Sequence, residues 1–267
     1  MVTAINGNFR LMGVIGDPIK QARTPDNINP IFASKGAAII CIPLHIPAAH
    51  LATAWAGLKA MKNLAGFGVT LPHKQSALAL CDSLDPLAER VGAVNVVRRE
   101  ANGGFRGYQF DGLGFVNGLR TEGLDPAGRD TLMVGAGGAA TAIAFALVEA
   151  GVTRLAIANR TMEKARDIAD QVNRVTGTQI AIAERAEPKP GQLLVNATSL
   201  GLNPDDALPF DPALIDDTMA VAEVIAKPEE TRLLALARDR GAAVHSGIHM
   251  IRGQAQLIAD HLIAAGS

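Results

Sequence analysis

Short apolar runs rich in Val, Ile, Leu and Ala alternate with helix-length amphipathic stretches along the whole chain. Each run has the length of a buried strand, and each is followed by a segment long enough for a helix. This alternation predicts an α/β fold with parallel sheets, because crossover helices join neighbouring parallel strands. The predicted strands cover residues 11–15, 37–44, 67–71, 93–97, 132–134, 155–158, 193–197 and 221–225.

The predicted strands fall into two groups, separated by a helix predicted over residues 112–119 and by the turn-rich segment 122–130. Such a cluster of Gly, Pro and Asp is typical of a domain boundary. We therefore predict a first domain over residues 1–110 and a second over residues 111–247. A last helix, predicted from residue 248 to 265, is long enough to return to the first domain, so residues from about 248 to 267 complete it.

The composition excludes several classes of protein. The chain has 267 residues, 25 Lys and Arg against 26 Asp and Glu, and 4% aromatic residues. Without a basic face or an aromatic platform, no nucleic-acid partner is expected. No apolar run approaches the roughly 20 residues of a membrane-spanning helix, so no membrane partner is expected either. Residues 1–10 lack the features of a secretory signal, which predicts a cytoplasmic protein, and the isolated Cys41 and Cys81 predict reduced core thiols and no metal site.

Residues 130–151 follow the order strand, glycine-rich turn, Ala-rich helix and helix stop. Gly135 suits the tight turn, and Gly137 lets backbone N–H groups approach a pyrophosphate. A glycine triplet alone can also mark a close helix–strand contact, but here a second strand follows in the expected place. The pattern therefore favours dinucleotide binding. The predicted cofactor contacts in this turn are Gly135, Ala136, Gly137, Gly138 and Ala139.

The end of the second strand of this unit distinguishes NAD from NADP. An acid at that position accepts the ribose hydroxyls of NAD, whereas the 2′-phosphate of NADP requires cations. Here the strand ends in Asn159 and Thr161, which can hydrogen-bond a phosphate, with Arg160 and Lys164 to neutralise it. NADP is therefore favoured. NAD remains an alternative because Glu163 is close by, and both cations also suit ordinary solvated positions at a helix start.

Polar residues in the first domain follow its predicted strands. Thr70 and Lys74, then Asn95, then Asp111 each come at the carboxyl end of a predicted parallel strand. Open α/β sheets bind their ligands at that edge. Taken singly, each residue also has a structural interpretation: Lys74 as a surface lysine, Asn95 as a strand-end hydrogen bonder, and Asp111 as a helix N-cap.

A series of segments, in order, resembles the shikimate dehydrogenase family, and the resemblance covers nearly the whole chain. The opening Gly-Val-Ile-Gly-Asp-Pro-Ile and the later Val-Thr-Leu-Pro-His-Lys are two of them. The matching segments are residues 13–19 with 24–25, then 69–74, 93–95, 111–112, 135–140, 159–161, 196–201 and 247–254.

The resemblance implies a substrate domain and a Rossmann-type domain with a cleft between them. It also implies an NAD(P)-dependent interconversion of a ring hydroxyl and a ketone, as on shikimate in aromatic amino acid biosynthesis or on quinate. Lys74 and Asp111 would be the catalytic pair, since a proton leaves the hydroxyl as hydride leaves the carbon. The implied substrate contacts are Thr24, Thr70, Asn95 and Gln254. The further implied cofactor contacts are Asn196, Thr198, Ser199, Val224 and Gly247.

The chain departs from the family at positions that surround one ligand. The family's opening motif reads roughly Gly-x-Pro-Ile-x-His-Ser-x-Ser-Pro, and its two serines hold the substrate carboxylate. Here they are Ala22 and Thr24, and Thr24 before Pro25 also suits a helix N-cap. A lost hydroxyl donor to a carboxylate costs about 1.5 to 3 kcal/mol of binding. The other departures are Gly68 for Asn, Gln109-Phe110 for Asn-Thr, and Ala226 for Tyr.

These departures predict altered substrate recognition and leave three functions open. The first is a dehydrogenase of a shikimate-like or quinate-like hydroxy acid, working as a monomer or homodimer. The second is a paralogue that acts on a different hydroxy acid and has little shikimate activity. The third is a non-catalytic ligand-sensing regulator, against which the presence of both Lys74 and Asp111 argues.

Overall fold

The computed structural model describes residues 5–264, so the ends of the predicted first domain, residues 1–4 and 265–267, lie outside the described residues. The chain forms two compact units. Unit 1 takes the residues up to Phe110 and those from Gln254 onward, and unit 2 is Asp111–Gly253. The second junction therefore lies inside the last helix, at Gly253 and Gln254, rather than at about residue 248.

Unit 1 contains a six-stranded sheet in the order β2-β1-β3-β5-β6-β4. β1 runs parallel to β2 and β3, as the alternating pattern predicts. The elements are β1 (Arg10–Gly16), α1 (Thr24–Ser34), β2 (Ile39–His45), α2 (Leu51–Ala60), β3 (Leu64–Val69), β4 (Ser83–Leu84), α3 (Pro86–Val91), β5 (Val96–Arg99) and β6 (Phe105–Tyr108).

The direction of β5 corrects the prediction for residues 93–97. This strand begins at Val96 and runs antiparallel to both β3 and β6. Asn95 therefore precedes its strand instead of ending it. Because the start of an antiparallel strand lies beside the end of its neighbour, Asn95 still reaches the expected edge, where its carbonyl accepts a hydrogen bond from the N–H of Val69 at 2.7 Å.

Two apolar layers cover the sheet of unit 1. On one side the rings of Trp55, Phe67 and Phe105 meet edge to face, with centroids 4.9, 5.8 and 5.3 Å apart. Such pairs add to the free energy of burial because ring edges are positive and ring faces negative. A second cluster joins Met12 of β1 and Ile28 of α1 to residues 258–262 of the last helix. The last helix thus completes the core of unit 1.

Unit 2 is a six-stranded sheet in the order β12-β11-β10-β7-β8-β9, with every strand parallel to its neighbours. This is the doubly wound Rossmann order, in which the two halves diverge between β7 and β10. The elements are α4 (Asp111–Thr121), β7 (Asp130–Val134), α5 (Gly138–Glu149), β8 (Arg154–Ala158), α6 (Met162–Thr176), β9 (Ala181–Ala183), β10 (Leu193–Asn196), β11 (Ala220–Glu223), α7 (Arg232–Asp239), β12 (Ala243–His245) and α8 (Gly247–Ala264).

The helices of unit 2 follow from their sequence patterns. α6 buries Ala165, Ile168, Ala169 and Val172, the i, i+3, i+4, i+7 stripe of a helix with one apolar face. α5 is instead buried on all sides from residue 140 to 148. Small residues allow this, since a Cβ atom on Gly112 of α4 would lie only 2.2 Å from the carbonyl oxygen of Ala142.

The described residues contain no membrane-spanning helix, metal-binding cluster or disulfide. No helix among residues 5–264 combines the length and apolar character needed to cross a membrane. In the same range, no group of His, Cys, Asp and Glu residues is arranged to hold a metal ion. Cys41 and Cys81 are both free thiols, and burial raises the pKa of each to about 12.

Gly66 of β3 offers a test of the packing in unit 1. A Cβ atom there would lie 2.3 Å from the carbonyl oxygen of Val97 and 2.8 Å from Cδ2 of Leu262. We expect Gly66→Ala to lower the free energy of unfolding by about 1–3 kcal/mol, the usual cost of overpacking, measured by urea denaturation. The control is Gly57→Ala in α2, where nothing lies within 4 Å and alanine should stabilise the helix. Equal urea midpoints for the two variants would contradict this account.

Candidate active site

The candidate substrate residues of unit 1 begin where β3 ends. The N–H of Thr70 donates to the carbonyl of Ile15 at 2.9 Å, and its carbonyl accepts from the N–H of His73 at 3.0 Å. These bonds start the turn that carries Lys74. Lys74 is half-buried, and its carbonyl accepts from the N–H of Val94 at 2.9 Å. The backbone of Lys74 is therefore held against the segment that leads into β5.

A hydrogen-bonded network then sets the direction of two side-chain amides. Oδ1 of Asn95 accepts from the backbone N–H of Phe110 at 2.8 Å, and Nδ2 donates to Oε1 of Gln254 at 2.9 Å. A backbone N–H can only donate, so Asn95 must turn its oxygen toward Phe110 and its NH₂ group toward Gln254. The NH₂ group of Gln254 is then the end that can meet the oxygen of a ligand. The structure thus brings Asn95 and Gln254 together although they are 159 positions apart in the chain.

The structure does not place Thr24 at the N-cap of α1, where one interpretation of the sequence puts it. Thr24 is the first helical residue of α1, and the N-cap is Arg23, which makes no side-chain cap bond. The N-cap interpretation of Thr24 is therefore wrong, because the helix starts one residue earlier than that interpretation needs. Ala22 packs, together with Phe110, against the apolar cluster that joins β1, α1 and the last helix. A position that holds serine in the family here carries an alanine that is partly buried against this cluster.

Sequence reasoning missed a polar pair at the same edge of unit 1. Nε2 of His45 lies 2.8 Å from Oδ1 of Asp17, and these residues stand at the ends of β2 and β1. Their position directly after predicted apolar runs is the signal that identifies them. The pair brings a carboxylate close to the edge that carries Thr70.

The two candidate catalytic residues belong to different units, Lys74 to unit 1 and Asp111 to unit 2. Asp111 is the first residue of α4 and is only 2% exposed. A carboxylate in the first turn of a helix is stabilised by the positive end of the helix dipole. Next to it, Gly112 lies against α5, which fixes the start of α4 within unit 2.

The glycine turn of unit 2 has the geometry that a phosphate needs. Gly135 has a φ of +131°, and a Cβ atom there would lie 2.6 Å from the carbonyl oxygen of Ala197. At Gly137, by contrast, a Cβ atom would meet nothing within 4 Å. The first turn of α5 has no acidic residue, and Gly137 as N-cap provides no side-chain cap. Unpaired N–H groups, the helix dipole and open space at Gly137 together fit a pyrophosphate.

The end of β8 presents donors and cations to solvent. Nδ2 of Asn159 donates to the carbonyl of Thr161, at 2.9 Å, and Thr161 is the N-cap of α6 without a side-chain cap bond. Arg160 and Lys164 are both exposed, and within residues 5–264 neither forms an ion pair. Glu163 is also exposed. The cations are thus available to a phosphate on a ribose at this strand end.

Hydrogen bonds hold the turn after β10, and a close backbone contact holds the segment after β11. Oδ1 of Asn196 accepts from the N–H of Thr198 at 3.1 Å and from its hydroxyl at 2.6 Å. Ser199, next along this turn, is exposed. Gly247 lies directly on the backbone after β11, since its Cβ atom would be 2.3 Å from the carbonyl carbon of Val224. These implied cofactor positions therefore lie at the carboxyl ends of β10 and β11, beside the glycine turn after β7.

The chain matches two family models in sequence order. The model of the shikimate dehydrogenase substrate binding domain matches residues 14–97, and the model of shikimate / quinate 5-dehydrogenase matches residues 121–188. The chain belongs to the shikimate dehydrogenase family. The family predicted from the sequence is thereby confirmed.

Relatives of this shikimate dehydrogenase family member include enzymes with different names. Shikimate dehydrogenase (NADP(+)) of Rubrobacter xylanophilus is 39% identical and aligns over 94% of this chain and 89% of its own. A solved structure of shikimate dehydrogenase in complex with NADP+ is 28% identical, with a TM-score of 0.88 over 97% of this chain and 92% of its own. The 5-ketofructose reductase of Gluconobacter sp. strain CHM43 is 30% identical, with a TM-score of 0.78 over 98% of this chain and 100% of its own.

These comparisons confirm that this member of the shikimate dehydrogenase family is an α/β oxidoreductase with a Rossmann-type unit. The names of the relatives agree with the prediction that NADP is the favoured cofactor. The roles of the individual site residues remain predictions.

Proposed function

We propose that this protein is an NADP-dependent dehydrogenase that interconverts a ring hydroxyl and a ketone on a shikimate-like or quinate-like hydroxy acid. The observation that carries the proposal is the network of Phe110, Asn95 and Gln254 beside Thr70 and Lys74. It directs amide donors at the ligand edge of unit 1, and such donors suit the several oxygens of a hydroxylated ring.

NADP(H), when bound, supplies or accepts the hydride. The N-terminus of α5 and the backbone at Gly137 would hold its pyrophosphate, because nothing within 4 Å occupies the Cβ side of that glycine. Arg160 and Lys164, with Asn159 and Thr161, would hold the 2′-phosphate. An arginine suits this task because its guanidinium forms two parallel bonds to phosphate oxygens.

Lys74 and Asp111 would manage the proton. Oxidation of an alcohol removes a hydride from carbon and a proton from the hydroxyl oxygen, so a base must stand at that oxygen. The amine of Lys74 would take this proton, and Asp111 would be the second member of the catalytic pair. The half-burial of Lys74 and the burial of Asp111 support this assignment, because partial exclusion of water strengthens charge interactions.

A second candidate substrate is a polyhydroxy ketone without a ring carboxylate. Ala22 is partly buried against an apolar cluster of unit 1, which leaves Thr24 as the one hydroxyl of residues 20–25. Fewer hydroxyl donors weaken the hold on a carboxylate. A protein of this fold that is named 5-ketofructose reductase supports this alternative.

We expect Lys74→Ala to lower kcat by about 10²–10⁴-fold, since the variant lacks the base that takes the hydroxyl proton. The affinity for NADPH should stay within about twofold, because the cofactor contacts lie elsewhere in the chain. Steady-state rates and NADPH fluorescence titration measure the two effects. The exposed Lys62 provides the control, Lys62→Ala, which should behave as the wild type. A near-normal kcat in Lys74→Ala would remove Lys74 from the mechanism.

We expect the double variant Arg160→Ala, Lys164→Ala to weaken NADPH binding by at least about tenfold and to leave NADH binding nearly unchanged. Each charge-assisted bond to the 2′-phosphate contributes about 1.5–3 kcal/mol, and NADH has no such phosphate. Isothermal titration with both cofactors tests this. Arg166→Ala, an exposed cation later in α6, is the matched control. Equal losses of affinity for NADPH and NADH would show that the two cations do not bind the 2′-phosphate.

We expect Ala22→Ser with Thr24→Ser to raise kcat/KM for shikimate by about tenfold or more, because two hydroxyls would again be available to a carboxylate. The measurement is a steady-state screen of the wild type and the variant with shikimate, quinate and a neutral polyhydroxy ketone. The neutral ketone is the internal control, since its kcat/KM should not rise. If the wild type prefers the neutral ketone, the second candidate replaces the first.

A further inference from the structure

Glu223 is a carboxyl group buried inside unit 2, at the end of β11. It is 0% exposed. Its Oε2 accepts from the hydroxyl of Thr231 at 3.1 Å and from Nδ2 of Asn196 at 3.5 Å. Its Oε1 has no hydrogen-bond partner within residues 5–264. An ionised carboxylate at this position would lose its hydration and would have no cation beside it. The protonated form keeps the hydrogen bonds from Thr231 and Asn196 and carries no charge.

Among residues 5–264, the side chains that bind Glu223 are uncharged. From β10 its neighbour is Asn196, and from the N-terminus of α7 it is Thr231. His245 of β12 pairs in register with Ala222, so its ring lies on the opposite face of the sheet. Burial lowers the pKa of His245 to about 4, which leaves that ring neutral at pH 7.

The remaining charged groups near this end of the sheet are held elsewhere or exposed. Asp206 binds the N–H of Gly201 at 2.9 Å, and backbone hydrogen bonds lower its pKa, so it stays ionised. The exposed charged residues on the segment 224–231 and on α7 are Lys227, Glu229, Glu230, Arg232, Arg238 and Asp239. Burial therefore dominates at Glu223 and raises its pKa to about 7.

One carboxyl oxygen of Glu223 joins two loops. Asn196 opens the turn that contains Thr198 and Ser199, and the hydroxyl of Thr198 is bound to Oδ1 of Asn196. Thr231 closes the segment that starts at Val224, and its side chain also caps α7 by accepting from the N–H of Leu234. Both loops carry residues that the family resemblance implies as cofactor contacts, namely Asn196, Thr198 and Ser199 in the first and Val224 in the second.

We propose that Glu223, in its uncharged form, is a positioning residue that holds the turn 196–199 and the segment 224–231 in place for dinucleotide binding. Ionisation would draw the carboxylate toward water, separate the two loops and weaken binding. The inference rests on the proposed function, since it takes NADP(H) as the ligand of these loops.

The sign of the pH effect follows from the raised pKa. An unfolded Glu titrates near 4.5, whereas folded Glu223 titrates at about 7, so the folded chain binds the proton more tightly. The contribution of Glu223 to the free energy of unfolding therefore falls as the pH rises between these values. Dinucleotide affinity should fall as the pH rises through about 7.

The experiment compares NADPH affinity at several pH values for the wild type, Glu223→Gln and the control Glu229→Gln. Glutamine has nearly the shape of the protonated acid and cannot ionise, so its pH profile should lack the fall. The ratio of the dissociation constants of wild type and Glu223→Gln should rise about tenfold between pH 6 and pH 8, and titration of the cofactor itself cancels in this ratio. Glu229 is an exposed carboxylate on the same segment, so Glu229→Gln should follow the wild type.

A second measurement uses the wild type without cofactor. Its infrared spectrum at pH 6 should contain the C=O band of a buried protonated carboxyl that disappears with the same midpoint as the NADPH affinity. Parallel affinity profiles for wild type and Glu223→Gln, or absence of that band, would overturn this inference while NADPH binding itself is upheld. Absence of NADPH binding by the wild type at every pH would overturn the proposed function and this inference together.

Discussion

The direction of the strands is the constraint on which the rest of this structure depends. In unit 2 all six strands are parallel, so the turns after β7, β10 and β11 leave the sheet at one edge. In unit 1, β1, β2 and β3 share a direction and end beside one another. The central strands β1, β3, β7, β10 and β11 are mostly apolar and almost entirely buried, because both of their faces are covered. Polar side chains therefore collect at the strand ends, where a ligand can reach them.

The antiparallel strand β5 places Asn95 at the ligand edge of unit 1 by its first residues and not by its last. It places Asn95 at the start of its strand, yet beside the end of β3. From there the obligatory N–H donor of Phe110 orients Asn95, and Asn95 orients Gln254. The backbone N–H of Phe110 thus determines, through Asn95, which end of the Gln254 amide is the oxygen and which is the NH₂ group. Donors whose direction is fixed in advance lower the entropic cost of binding a ligand.

The high content of small residues serves the cofactor unit in particular. Glycine and alanine let α4, α5 and the sheet approach until backbone atoms nearly touch, as at Gly112 and Ala142. The turn at Gly135 leads directly into α5, and it lies so close to the loop after β10 that a Cβ atom on Gly135 would be 2.6 Å from the carbonyl oxygen of Ala197. This tightly packed interior also contains Glu223, a fully buried carboxyl group whose hydrogen-bond partners are uncharged. Such a group is costly when charged, so its presence links the local structure to the state of its proton.

The sequence by itself determined the alternation of strands and helices, the glycine turn, the cations after β8 and the family. These features depend on residues that are adjacent in the chain, and apolar periodicity reports local burial directly. Only the tertiary structure decided that β5 is antiparallel, that Ala22 packs against the core of unit 1, that Thr24 does not cap α1, and that Asn95 meets Gln254. The sequence of a short apolar run does not show whether the neighbouring strand is parallel or antiparallel. Nor does it show that an acid at a strand end, such as Glu223, is buried. Strand pairing and burial of polar atoms are set by contacts between distant residues, which the local pattern does not contain.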